Sequence, residues 1–154
     1  GITIRYNFDI INKAPSAPFS IRRELDTRVS ILKIHPGMTP QVVRDILLGS
    51  ETRAVIIETY GSGNALSKEW FISIVREANA KGKILLNVTQ CLAGRVNMNL
   101  YATGKQLQES GVIGGGDMTT ESALAKLFYL MGGTDDNMLV KSRLKQNLRG
   151  EISL

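Results

Sequence analysis

Apolar residues in this chain gather in short runs, and between the runs they recur every three to four positions. Val29–Ile34, Ala54–Tyr60 and Ile84–Val88 are of strand length and nearly continuous in apolar character, the pattern of strands covered on both faces. Thr39 before Pro40 predicts a helix start, a capping hydroxyl ahead of a proline at the first helical position. Val42, Val43, Ile46 and Leu47 supply its apolar face, and Gly49 is expected to stop it near a left-handed cap. Ser67 is expected to cap a second helix whose buried side carries Trp70, Phe71, Ile74, Val75 and Ala78, with Gly82 closing it. Tyr101–Glu109 reads as helix, Val112–Ile113 as a short strand and Gly114–Asp117 as a glycine-rich turn. Thr119 or Thr120 then caps a helix in which Ala123, Leu124, Leu127, Phe128 and Met131 keep helical spacing. Asp135–Leu148 completes the series as a helix with a basic outer side. Strands alternating with helices over short connections predict an α/β fold. The expectation is a Rossmann-like, three-layer arrangement with a parallel sheet of about four strands, flanking helices and right-handed crossovers.

The amino-terminal part breaks this rhythm. Ile2–Ile11 has extended character, Asn12–Ser20 contains Pro15 and Pro18 and reads as linker, and the charged Arg22–Arg28 suggests no definite form. The chain therefore divides into an interdomain linker with an extended segment, 1–28, and an α/β domain, 29–154. Gly1 stands first and a strand-like pattern follows at once. A start in mid-protein is expected, with a processed or tagged start as the alternative.

With 154 residues, 43% of them hydrophobic, the chain can bury a sizeable single core. The net charge of +5 arises from dispersed basic residues with little aromatic interleaving, which argues for a solvated face and against nucleic acid as a partner. One cysteine, Cys91, excludes an internal disulfide. Without a run suited to a membrane span or a signal peptide, cytoplasm is the expected location.

In a parallel sheet the loops His35–Met38, Gly61–Asn64 and Thr89–Gly94 would share the carboxyl edge, where ligands bind in open α/β sheets. They offer an imidazole, amides, hydroxyls and a thiol, groups suited to a small polar molecule. Each has a plainer explanation. Gly61 and Gly63 lack the third glycine of a dinucleotide fingerprint and fit a turn that needs backbone freedom. His35 has no metal-spaced partner and fits a turn hydrogen bond, while Cys91 has no evident base and fits an inert thiol. Gly114–Asp117 could approach an anion, but Asp117 would repel it, and a tight helix entry is the better account. No catalytic triad, carboxylate pair or metal cluster emerges from spacing.

Taken together, ILKIHPGMTP at Ile31–Pro40, ETYGSGNA at Glu58–Ala65, NVTQCLAGRVNM at Asn87–Met98, YATG at Tyr101–Gly104, GVIGGGDMTTESALAKLFYL at Gly111–Leu130 and QNLRGE at Gln146–Glu151 resemble the carboxyl-terminal half of cytoplasmic type I bacterial L-asparaginases. The resemblance implies an amidohydrolase that converts asparagine to aspartate and ammonia through a threonine nucleophile, with neither metal nor organic cofactor. It also implies that the nucleophile lies in an amino-terminal domain, in Thr-Gly-Gly-Thr and Asp-Gly-Thr-Asp-Thr type stretches that do not occur here. Met131–Thr134 echoes the first, with methionine in the nucleophile's place. No catalytic residue is therefore expected in this chain, which should be inactive alone.

The same resemblance implies a homodimer or tetramer in which Asn64 reaches toward the neighbouring subunit's active site, and an asparagine effector site involving Glu58, Asn64, Thr89 and Cys91. Several relatives carry arginine where this chain has Glu58, which would repel a ligand carboxylate and favour an amino group. Arg95 replaces a glutamate of secreted relatives, so that residue's role does not carry over. Two alternatives stand beside this one: the amidase subunit of a tRNA-dependent amidotransferase, and a non-catalytic amino-acid-binding or oligomerisation module.

Overall fold

The computed structural model describes residues 4, 6, 11 and 16–153. The extended stretch expected at Ile2–Ile11 therefore falls largely outside the described residues. Nine elements follow in the order β1 (Val29–Lys33), α1 (Pro40–Leu47), β2 (Ala54–Thr59), α2 (Glu69–Ala80), β3 (Ile84–Thr89), α3 (Ala102–Glu109), β4 (Ile113–Gly114), α4 (Thr120–Gly132) and α5 (Asn137–Leu144). The four strands form one parallel sheet in the order β1-β2-β3-β4.

That order determines the layers. Each strand is added on the same side of the last, so right-handed crossovers place α1, α2 and α3 on one face. α4, which follows β4, packs against β1, β2 and β3 from the other face together with α5. Central strand β2 shows why its apolar run is unbroken. Ala54, Val55, Ile56 and Ile57 are all 0% exposed. Val55 and Ile57 join Leu32, Val43, Phe71, Val75 and Leu85 in one core; Ala54 and Ile56 join Leu86, Val88, Leu127 and Met131 in the other. Alternation along the strand thus feeds two cores at once.

Several local details depart from expectation. Tyr60 lies beyond β2, in an isolated antiparallel bridge with Asn64. Lys68, not Ser67, occupies the N-cap of α2, and no side chain caps that helix. Gly49 does not adopt a positive φ; Leu48 is the C-cap of α1 and donates its N–H to the Arg44 carbonyl. Gly82 does take the left-handed form, at φ 81°. Thr119 caps α4 by accepting from Ser122 N–H, and Thr120 is the helix's first residue. α5 is shorter than Asp135–Leu148. Asp136 caps its start, and the buried Lys126 ammonium ends it by donating to the carbonyls of Leu144 (2.9 Å) and Gln146 (2.5 Å).

The amino edge of the sheet is stitched closed. Arg53, its side chain 9% exposed, donates to Asp26 Oδ2 (3.1 Å), to the carbonyls of Met131 (3.0 Å) and Thr134 (2.8 Å), and twice to Asn137 Oδ1. It therefore joins the segment before β1 to the end of α4 and the start of α5. Arg28 hydrogen bonds hold the Asp26 carboxyl well below its ordinary range, against the opposing effect of burial and with help from Arg53. Lys83 donates to the carbonyls of Gly49 and Thr52, and burial lowers its pKa.

Arg22–Arg28 also lies on the domain. Arg22 stacks over the Tyr129 ring, 4.5 Å from its centroid, and Asp26 N–H donates to Phe128. Gly132 and Gly133 make this approach possible, since a Cβ on either would collide with Glu24 or Arg22.

Candidate functional site

At the carboxyl edge the strand ends diverge into loops that are pinned from above. Gln90 donates its side-chain amide to the carbonyls of Ile34 (2.7 Å) and Glu58 (2.8 Å), tying the ends of β1 and β2 together. Val96 N–H donates to Gly116 and Asn97 N–H to Ser62, so the chain after β3 bridges the loops after β2 and β4. Beneath them, the buried Thr59 hydroxyl donates to Asn87 Oδ1 at 2.7 Å. Gly115 brings its backbone within 2.8 Å of the Asn87 carbonyl, where a side chain would clash. The glycine run before α4 thus serves close packing and helix entry. Asp117 there accepts from Ser153 N–H, which lowers its pKa.

A pocket of about 290 Å³ opens between the ends of β1, β2 and β3 and the start of α4. Glu58, Thr89, Cys91, Lys33, Thr119 and Thr120 are among its lining residues. Glu58 continues the line of Ala54 and Ile56 toward α4, and its carboxylate, 12% exposed, accepts from Thr120 Oγ1 at 2.6 Å. Lys33 Nζ lies 3.4 Å from its other oxygen. Thr89 Oγ1 accepts from Cys91 N–H at 3.0 Å, which leaves the hydroxyl proton available to a ligand. Cys91 is a free, exposed thiol. Three of the four expected effector residues therefore meet in one pocket, joined by Thr120, which the sequence offered only as a helix cap, and by Lys33, which it did not single out. The register that sets Lys33 opposite Glu58 was the missing information.

Asn64 stands outside this pocket. Its backbone exchanges hydrogen bonds with Tyr60 in both directions, at 2.8 and 2.9 Å, across a turn in which Gly61 (φ 49°) and Gly63 (φ 111°) take left-handed conformations. The glycine pair serves that turn. Asn64 Oδ1 accepts from Thr103 Oγ1 at 2.9 Å, and among the described residues its side-chain nitrogen has no partner. His35 Nδ1 bonds the Pro36 carbonyl at 2.9 Å, the expected turn contact. Arg95 lines a separate depression of about 400 Å³ with Asn97, Asn99 and Lys145. Among the described residues no three metal-ligating side chains cluster, and no helix is long and apolar enough to cross a membrane. Thr134 lies at the opposite edge, its carbonyl on Arg53 and its hydroxyl accepting from Asp136 N–H.

Comparison with known proteins converges on the same assignment. L-asparaginase 1 of Escherichia coli (strain K12) is 42% identical over 125 residues, 81% of this chain and 37% of that protein. A glutamyl-tRNA(Gln) amidotransferase subunit from Metallosphaera sedula is 44% identical over 130 residues, 84% of this chain and 29% of that protein. The crystal structure of L-asparaginase I from Vibrio cholerae superposes with a TM-score of 0.86 at 40% identity, covering 94% of this chain and 43% of the other. The chain thus spans well under half the length of these relatives. Residues 28–143 match the glutaminase/asparaginase C-terminal domain, and with the four-stranded parallel sheet and its flanking helices this places the chain in that family.

Proposed function

We propose that this chain is the carboxyl-terminal domain of an L-asparaginase, a cytoplasmic amidohydrolase that converts L-asparagine to L-aspartate and ammonia. The threonine nucleophile is supplied by an amino-terminal domain of the longer polypeptide. The observation that carries this proposal is the state of Asn64. Its backbone is fixed by the Tyr60 turn and its carbonyl oxygen by Thr103, so its amide nitrogen remains as a positioned donor. A donor held in this way suits a substrate bound by a neighbouring subunit, because little conformational freedom is lost when it is used.

The same edge carries Leu92, Leu100 and Tyr101 as exposed apolar side chains, which supports a subunit contact there and a homodimeric or tetrameric assembly. The Glu58 pocket, with Thr89 and Cys91, fits an effector site for asparagine or aspartate, from which Asn64 is set apart. The linker, 1–28, would join this domain, 29–154, to the catalytic one. Ammonia release tests the proposal. The longer polypeptide should release ammonia from asparagine and the isolated chain should not; turnover by the isolated chain, or none by the longer one, would overturn it. A second interpretation, the amidase subunit of a tRNA-dependent amidotransferase, rests on the 44% identity to the Metallosphaera sedula protein.

A further inference from the structure

Met98 lies where β3, α3, β4 and the Gly61–Asn64 turn converge. It is 7% exposed, and its thioether accepts from Asn87 Nδ2 at 3.1 Å, while the Thr59 hydroxyl donates to Asn87 Oδ1. These two contacts fix the amide's orientation, because a thioether has no proton to offer the carbonyl oxygen. Asn87 is 0% exposed, so turning the amide over would leave buried polar groups unpaired.

Three glycines close on this amide–thioether pair. A Cβ on Gly104 would lie 2.9 Å from the Met98 carbonyl oxygen, and one on Gly114 would lie 3.0 Å from Met98 Cγ. On Gly63 it would lie 3.3 Å from Asn87 Nδ2 and 3.8 Å from the sulfur. Two of these supports lead to Asn64. Gly104 seats the first turn of α3 on the Met98 backbone, and the preceding residue, Thr103, donates to Asn64 Oδ1 at 2.9 Å. Asn97, next to Met98, donates its N–H to the Ser62 carbonyl at 2.9 Å, inside the turn that ends in Asn64. The side chain and the backbone of Asn64 are thus both set by neighbours of Met98.

We propose that Met98 is a positioning residue, held by Asn87, that sets the Asn64 amide nitrogen through Thr103 and through the Ser62 turn. The proposal rests on the reading of Asn64 as a donor to a neighbouring subunit's substrate and adds what aims that donor. Misplacement of a positioned group by about 1 Å can cost on the order of 100-fold in rate. Leucine at position 98 would fill the same space yet leave Asn87 Nδ2 buried without an acceptor, so it tests the sulfur contact and not the volume.

Two measurements test the positioning separately from the role of Asn64. In the chain itself, the side-chain amide resonances of Asn64 should shift in Met98→Leu; unmoved resonances in the folded variant would overturn the proposal. In the longer polypeptide, Met98→Leu and Thr103→Val should each lower kcat/KM for asparagine at least about fivefold. Neither should lower it further once Asn64→Ala is present, because a positioning residue then has nothing left to aim, whereas a merely structural loss would multiply with that of Asn64→Ala. Multiplying losses, or an unchanged kcat/KM in either single variant, would overturn the positioning while leaving Asn64 its role. An unchanged kcat/KM in Asn64→Ala itself would overturn both. Thr103→Val removes a single hydroxyl and decides the matter if Met98→Leu does not fold.

Discussion

The two edges of the sheet use the same residue types for opposite ends. At the amino edge, the Arg53 and Lys83 cations are spent on backbone carbonyls and on an acid and an amide brought from distant segments, leaving little for a ligand. At the carboxyl edge, Lys33 is largely solvated, and among the described residues the Thr89 hydroxyl proton and the Asn64 amide nitrogen have no partner. Saturated polar groups there become unsaturated ones here. Stability should accordingly depend on the first edge and ligand chemistry on the second.

The largest expected effect comes from breaking the saturated edge. Arg53→Ala leaves Asp26 to Arg28 alone and removes the shared donor from the Met131 and Thr134 carbonyls and Asn137 Oδ1, and this loss of several charge-assisted hydrogen bonds should cost about 3–5 kcal/mol in denaturant unfolding. A loss below about 1 kcal/mol would contradict the account. Acid should expose the next effect. Burial opposes ionisation of Glu151, but the Lys126 ammonium at 2.7 Å and the N–H groups of Leu148 and Arg149 lower it from 4.5 to about 2. The unfolded chain therefore takes up the proton first. This contribution is complete above about pH 4.5 and is lost as pH falls toward about 2, and Asp26 acts in the same direction. Glu151→Gln should flatten that part of the Tm–pH profile; an unchanged profile would contradict it.

Thr59→Val, which leaves Asn87 Oδ1 unpaired in the core, should cost roughly 1–3 kcal/mol by the same unfolding measurement. The smallest stability effects should come from the open edge. Cys91→Ser should change unfolding by less than about 0.5 kcal/mol, because the thiol is exposed and free. A large destabilisation there would erase the contrast between the edges.

Sequence conveyed the layers well and the edges poorly. Runs such as Ala54–Ile57 and the spacing of Phe71, Ile74, Val75 and Ala78 report burial directly, because burial is local information. The reach of Lys126 to the end of α5 is not local, and the final helix consequently came out shorter than its pattern. The packing of Gly132 and Gly133 against Glu24 and Arg22 depends on a segment about a hundred residues away in the chain, which no local pattern reports. Thr89 and Cys91 were singled out through family motifs and Glu58 as a departure from them, and all three line one pocket, but Lys33 required the β1–β2 register. Asn64 was legible as a residue, whereas the Thr103 contact that leaves only its nitrogen free was not.

The most direct test of the open edge is Asn64→Ala in the longer polypeptide, with ammonia release from asparagine and thermal unfolding followed together. Loss of one positioned donor of about 1.5–3 kcal/mol should lower kcat/KM roughly 10- to 150-fold, with Tm shifted by no more than a few degrees. Unchanged kcat and KM, or an activity loss matched by global unfolding, would contradict the claim that this edge is kept for a neighbouring site.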